Sequence, residues 1–223
     1  MSNEPMSDWA GTLVVMRHGQ SVFNAQDRYT GHEDAPLSPR GEQEARRAGV
    51  LLASSGLGRF DHAFSSRLQR ARRTLELAME AGGVVAGHAV QAARLNERHY
   101  GDLQGMTVDE ATDRWGEEAV RSYQRDMDSV PPGVDGESLR MMADRVGAWF
   151  HEVAYAKLVA GESVLLAAHG GTLRMLMVRL GLVGEQEAFR FPTAVPAVVC
   201  KEGPRFMGDR ASLAASMMTS GRT

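Results

Sequence analysis

Two short stretches hold the side chains best suited to chemistry. They are Arg17-His18-Gly19 near the start and His169-Gly170-Gly171 late in the chain. A neutral imidazole can attack an electrophile or move a proton near neutral pH. The arginine beside His18 is a planar, permanently charged fork that matches the oxygens of a phosphate. Gly170 and Gly171 let backbone N–H groups approach a ligand closely, and Gly19 leaves the chain free to bend back and offer a carbonyl that fixes the His18 tautomer. A single strand-end histidine is as readily satisfied by its own turn. Two of them, each behind the same kind of apolar run, point to one shared pocket.

What must position them is a sheet. Residues 12–16 (TLVVM) run into His18, and residues 163–168 (SVLLAA) run into His169. Short aliphatic runs bounded by glycine suit strands covered on both faces. In an open parallel sheet, ligands bind beyond the carboxyl ends of the strands, where the strand order reverses. Further strands are expected at 60–65, within 84–93 and at 194–199. Helices are expected from Ser38-Pro39 to about Gly56, at 67–81, 107–127, 137–158 and 172–182. Ser38 suits an N-cap with Pro39 in the first turn, and Ala45, Ala48, Leu51 and Leu52 form one apolar stripe. Strand alternating with helix argues an α/β fold, a mostly parallel sheet with helices on both faces. The segments 20–39 and 95–105 read as polar loops in contact with the site. Residues 1–11 read as a loose leader, 12–200 as one catalytic domain and 201–223 as a polar, mobile tail.

Composition narrows the class. The chain has 223 residues, 43% of them hydrophobic and 24% charged, ordinary for a globular domain with a substantial core. A net charge of −3 argues against a nucleic-acid or membrane-surface partner. One cysteine, Cys200, excludes an intrachain disulfide and a cysteine-rich zinc site, and fits a reducing cytoplasm. No apolar run is long enough to span a bilayer, and the N-terminus lacks the pattern of a signal peptide. No histidine or cysteine spacing suggests a metal site. A homo-oligomer is left open.

The Arg17-His18-Gly19 element with a second His-Gly late in the chain resembles the histidine phosphatase superfamily. The stretch Leu95-Asn96-Glu97-Arg98-His99-Tyr100-Gly101 resembles the cofactor-dependent phosphoglycerate mutase branch, as does 30–38 (TGHEDAPLS). The resemblance runs from about residue 13 to 199. It implies a phosphoglycerate mutase-like fold and phosphoryl transfer through a phosphohistidine, primed by 2,3-bisphosphoglycerate and without a metal. His18 would be the nucleophile, with Arg17 and His169 on the phosphoryl oxygens. Among Arg67, Arg70 and Arg72, the superfamily pattern selects Arg70 as the second clamp. Glu97 would be the general acid and base. Ser21, Asn24, Thr30, Gly31, Arg98, Tyr100, Arg125, Gly170 and Gly171 would bind substrate.

Four positions depart from the pattern. Gln20 stands where the mutase branch carries glutamate, Gly171 where the family carries asparagine, Val108 where the mutase branch carries lysine, and Gln124 where it carries the first of two arginines. The last two remove cations that a phosphoglycerate would meet. The expected activity is therefore interconversion of 3- and 2-phosphoglycerate, with hydrolysis of small phosphomonoesters by the same intermediate as the alternative. A non-catalytic phosphometabolite-binding protein is disfavoured by the intact set Arg17, His18, Arg70, Glu97 and His169.

Overall fold

The computed structural model describes residues 9–87, 89–193, 196–200 and 203–207. Within them, in chain order, are β1 (Thr12–Arg17), α1 (Pro39–Ser54), β2 (Arg59–Phe60), β3 (His62–Ser66), α2 (Gln69–Gly82), β4 (Val85–Ala86) and β5 (Ala89–Ala92). Then come α3 (Val108–Trp115), α4 (Glu117–Arg125), α5 (Leu139–Trp149), a π-helical stretch Phe150–Tyr155 and α6 (Ala156–Val159). The chain closes with β6 (Ser163–Ala168), α7 (Gly170–Arg179), α8 (Glu185–Ala188), β7 (Ala197–Cys200) and β8 (Gly203–Phe206).

Six strands form the main sheet in the order β5-β3-β6-β1-β7-β8, and β2 pairs with β4 beside it. The first four are parallel, while β7 runs antiparallel to β1 and β8 antiparallel to β7. Because β6 is inserted between β1 and β3, the carboxyl ends of all three meet at one edge, the geometry that opens a crevice for ligand. Alternation along β1 divides the core. Val14 and Met16 pack with Leu52 of α1 and with Leu75 and Ala78 of α2. Leu13 and Val15 pack with Met142, Val146 and Trp149 of α5 and with Leu173 and Leu176 of α7. A third cluster, Tyr29, Leu103, Ala111 and Val120, ties α3 and α4 over the site.

The local signals act as expected at the first helix. Ser38 Oγ accepts the Gly41 N–H at 3.1 Å, with Pro39 at the first helical position. Three of the expected helices differ. The helix expected over 107–127 is two, α3 and α4, parted at Gly116. Its φ of +85° is a backbone region that side chains with a Cβ avoid. The helix expected from 137 begins at Leu139, behind Ser138, whose Oγ accepts the Met141 N–H at 3.1 Å. It then continues through the π-helical stretch into α6. Helix α7 begins at Gly170 rather than 172, directly off β6, with His169 in the N-cap position.

The ends are corrected too. The expected leader at 1–8 and the expected tail at 201–202 and 208–223 fall outside the described residues. In the expected leader, Trp9 packs on Phe150 with ring centroids 5.7 Å apart, and the Gly11 N–H donates to Leu158 O at 2.8 Å. In the expected tail, β8 extends the sheet past residue 200 and Met207 is buried in the α1–α2 face.

Candidate active site

Sheet register brings the two histidines together. Arg17 is the register partner of Ala168, and the His18 N–H continues the ladder to Ala168 O at 2.9 Å. Each histidine is thus the first residue beyond adjacent parallel strands, and their rings meet edge to face with centroids 4.9 Å apart. Both are buried, His18 at 7% exposure and His169 at 0%.

The hydrogen bonds define the state of His18. Its Nδ1 lies 2.7 Å from Gly19 O and can only donate there, while Nε2 lies 3.3 Å from Arg70 Nε, which can only donate. The proton therefore sits on Nδ1 and the lone pair on Nε2. Burial holds the ring well below the usual histidine range, and the charges of Arg70 and Arg17 push the same way. His169 Nε2 lies 2.7 Å from Ser66 Oγ at the end of β3. The same hydroxyl accepts the Leu68 N–H at 3.2 Å, so its own hydrogen is free to point at Nε2. With the hydroxyl donating, the ring proton of His169 is on Nδ1, a buried atom with no protein partner. Burial also depresses His169, with Arg70 and His18 adding to it.

Arg70, the second residue of α2, is 1% exposed. Its Nη1 donates to Glu33 O at 2.9 Å and its Nη2 to Gly31 O at 2.8 Å. Burial lowers its pKa to about 10, against the pull of Glu97 and Asp34. Arg17 follows the same direction, by burial first, and its buried Nε has no partner. Thr30 Oγ1, also buried, has none either. Glu97 Oε1 accepts the Arg98 N–H at 3.0 Å and Oε2 the Gly171 N–H at 3.1 Å. Burial and the neighbouring Glu97 push the Tyr100 hydroxyl up to about 12.

The pocket so formed is lined by Arg17, His18, Asn24, Thr30, Gly31, Arg70, Glu97, Arg98, Tyr100, Arg125, Gly170 and Gly171, twelve of the fourteen residues expected. The other two lie behind its wall. His169 is covered, adjoining the pocket through His18 and the first turn of α7. Ser21 Oγ accepts the Asn24 N–H while Asn24 Oδ1 accepts the Ser21 N–H, both at 3.1 Å, so Ser21 shapes the loop that carries Asn24. Arg98 lines the wall but is engaged by backbone. It donates to Glu137 O at 2.5 Å, to Ser129 O at 2.9 Å and to Tyr123 O. Val108 and Gln124 line the pocket without charge, and Gln124 Nε2 donates to the Tyr29 hydroxyl at 2.5 Å.

Sequence reasoning missed Asp27, Arg28, Arg174, Met175 and Phe189 in the lining. A signal existed for Arg174: it lies three and four residues beyond Gly171 and Gly170, on their face of α7. It also missed Arg145, which donates to Arg94 O at 2.8 Å, Asn96 O at 3.1 Å and Glu97 O at 3.4 Å. Arg145 is held in turn by a two-pronged pair with Glu137 at 2.7 and 2.8 Å. Among the described residues, no three His, Cys, Asp or Glu side chains form a metal-binding group. No helix there is long and apolar enough to cross a membrane.

Buried guanidinium groups, first-turn N–H groups of a helix and an imidazole with a free lone pair together suit a tetrahedral oxyanion. The comparisons agree in kind. Residues 13–203 match the family model of the histidine phosphatase superfamily (branch 1). The 2,3-bisphosphoglycerate-dependent phosphoglycerate mutase of Parvibaculum lavamentivorans is 40% identical over 188 residues, 83% of this chain and 88% of that one. The phosphoglycerate mutase of Schizosaccharomyces pombe is 42% identical over the same shares. A mycobacterial glucosyl-3-phosphoglycerate phosphatase, solved with VO3, superposes with a TM-score of 0.71 at 27% identity, over 88% of this chain and 96% of that one. A family match over residues 13–203, with a relative 40% identical across 83% of the chain, shows that this chain belongs to the histidine phosphatase superfamily.

Proposed function

We propose that the protein is a 2,3-bisphosphoglycerate-dependent phosphoglycerate mutase, interconverting 3- and 2-phosphoglycerate through a phosphohistidine at His18. The observation that carries this is the fixed tautomer of His18. Its Nδ1–H is tied to Gly19 O, which leaves the Nε2 lone pair beside Arg70 to attack phosphorus. The names of relatives at 40–42% identity supply the substrate.

In this reading His18 Nε2 forms the N–P bond as the P–O bond to the substrate breaks, and Glu97 protonates the departing oxygen. In the reverse direction Glu97 takes the proton of the acceptor hydroxyl while the phosphoryl group leaves His18. Arg17, Arg70, His169 Nδ1–H and the N–H groups of Gly170 and Gly171 hold the equatorial oxygens as their charge spreads. Asn24, Thr30, Gly31, Tyr100 and Arg125 orient the rest of the substrate, with Ser21 positioning Asn24 and Arg98 holding the wall through its three backbone carbonyls. The unpartnered buried donors Arg17 Nε, Thr30 Oγ1 and His169 Nδ1 fit 2,3-bisphosphoglycerate, which would supply the phosphoryl group that loads His18. The setting implied is glycolysis and gluconeogenesis in the cytoplasm.

A phosphatase using the same intermediate is the second reading, favoured by one observation: Val108 and Gln124 leave part of the pocket wall uncharged. One assay separates the two. Purified protein is given 3-phosphoglycerate with and without 2,3-bisphosphoglycerate, and both 2-phosphoglycerate and free phosphate are followed. Primer-dependent 2-phosphoglycerate supports the mutase. Phosphate release without 2-phosphoglycerate supports the phosphatase. His18→Ala should abolish either activity together with any acid-labile, base-stable phosphoenzyme.

A further inference from the structure

We infer that Arg174, with Arg125 beside it, forms the subsite that binds the non-reacting carboxylate of a three-carbon phosphoacid, and so sets which phosphate esters the pocket accepts. This rests on the phosphoglycerate reading above and names the residue that would discriminate within it.

The inference comes from counting which cations in the pocket have donors to offer. Arg17 and Arg70 flank His18 and belong to the phosphoryl end. Arg28 donates Nη1 to Gly105 O at 2.6 Å and to the Glu110 carboxylate at 3.1 Å, an ion pair that balances its charge. Arg98 is engaged by three backbone carbonyls. Val108 and Gln124 bring no charge. Arg125 and Arg174 remain.

Arg174 is the better placed. It lies one helical turn beyond Gly170 and Gly171, on the same face of α7, about 5–6 Å further along the axis. That separation suits the length of a three-carbon acid whose phosphate sits on the helix N-terminus. A bond from its Nε to Phe191 O at 3.3 Å steadies the stem, and its two terminal nitrogens have no protein partner among the described residues. Burial lowers its pKa, and the charges of Arg17 and Arg125 lower it further against Glu97 and Tyr100. Arg17, Arg125 and Arg174 all line the one pocket, and Arg125 stands over the Phe189 ring at 5.2 Å.

The test compares two ligands that differ in the carboxylate alone. Affinities for 3-phosphoglycerate and glycerol 3-phosphate are measured by calorimetry in a His18→Ala background, which blocks turnover, with and without Arg174→Gln. The expected result is a loss of about 10–100-fold for 3-phosphoglycerate, the size of one charge-assisted hydrogen bond. Glycerol 3-phosphate should change less than about threefold, and Arg174→Lys should recover part of the loss by restoring charge without the fork. No loss for 3-phosphoglycerate, or an equal loss for both ligands with folding intact by circular dichroism, would overturn the assignment. Wild-type protein that makes no 2-phosphoglycerate would overturn the mutase reading alone, since the binding contrast reads Arg174 without turnover.

Discussion

The Gly171 N–H donates to Glu97 Oε2 at 3.1 Å, and a Cβ built on that glycine would stand 2.5 Å from Glu97 Oε1. The missing side chain is thus what lets the Glu97 carboxylate rest on the first turn of α7. At a position where the family carries asparagine, the consequence is more than one lost side-chain contact: the carboxylate takes the space.

Gly171→Ala tests this directly. Alanine in a helix is favoured over glycine by about 0.5–1 kcal/mol, and the obstructing atoms are the movable ends of Glu97 and Met142. The variant should be as stable as the parent or slightly more so, while kcat falls about 10–100-fold as Glu97 is displaced. A urea melt beside a rate measurement decides it. Unchanged kcat would show that this placement of Glu97 is not the working one.

Glu97→Gln keeps the size, can accept only one of the two N–H groups that Arg98 and Gly171 offer, and cannot exchange a proton. A positioned acid or base contributes about 10²–10⁴-fold, and the loss in kcat should lie in that range. A loss below about threefold would leave Glu97 as a structural anchor of its loop.

The two depressed histidines set a pH window. His18 and His169 are buried and neutral, with folded values below the ordinary 6.5. Above about pH 6.5 both are neutral in the folded and unfolded chains, and their contribution to stability is fully present. As pH falls below that value the unfolded chain takes up protons that the folded chain refuses. Stability then declines with a slope approaching about 1.4 kcal/mol per pH unit for each histidine. Denaturant midpoints from about pH 7.5 to 5 would show it, with a shallower slope expected in His18→Ala. The acidic limb of kcat/KM for the free enzyme should likewise fall below about 6.5.

Arg145 holds the backbone of the Glu97 segment at three carbonyls while paired with the largely buried Glu137. Removing one partner of such a pair strands the other charge, so Arg145→Met should cost on the order of 3 kcal/mol in urea unfolding. It should also lower kcat at temperatures where the variant remains folded. A change below about 1 kcal/mol would place this pair with ordinary surface bridges.

Val108→Lys with Gln124→Arg returns two cations to the wall. The double variant should raise the ratio of 2-phosphoglycerate formed to phosphate released, because each charge-assisted bond to substrate is worth about 1.5–3 kcal/mol. An unchanged ratio in the folded protein would show that water access, rather than substrate retention, governs leakage.

Local patterning in the chain was enough to place the ends of β1 and β6, the two histidines beyond them, the Ser38 cap of α1 and the polar segment bearing Glu97. Those signals are local: an apolar run, a glycine and a capping residue act over a few positions. Tertiary structure decided the rest. Parallel register set Arg17 beside Ala168 and so joined His18 to His169. The end of β3 supplied Ser66 to orient His169. Three carbonyls from separate segments claimed Arg98, which its motif alone assigned to substrate. Arg174 entered the pocket because α7 starts at Gly170, directly off the sheet, and points that face at the site. Which donors are engaged and which stay free depends on groups far apart in the chain, and only the folded register brings those groups within hydrogen-bonding reach.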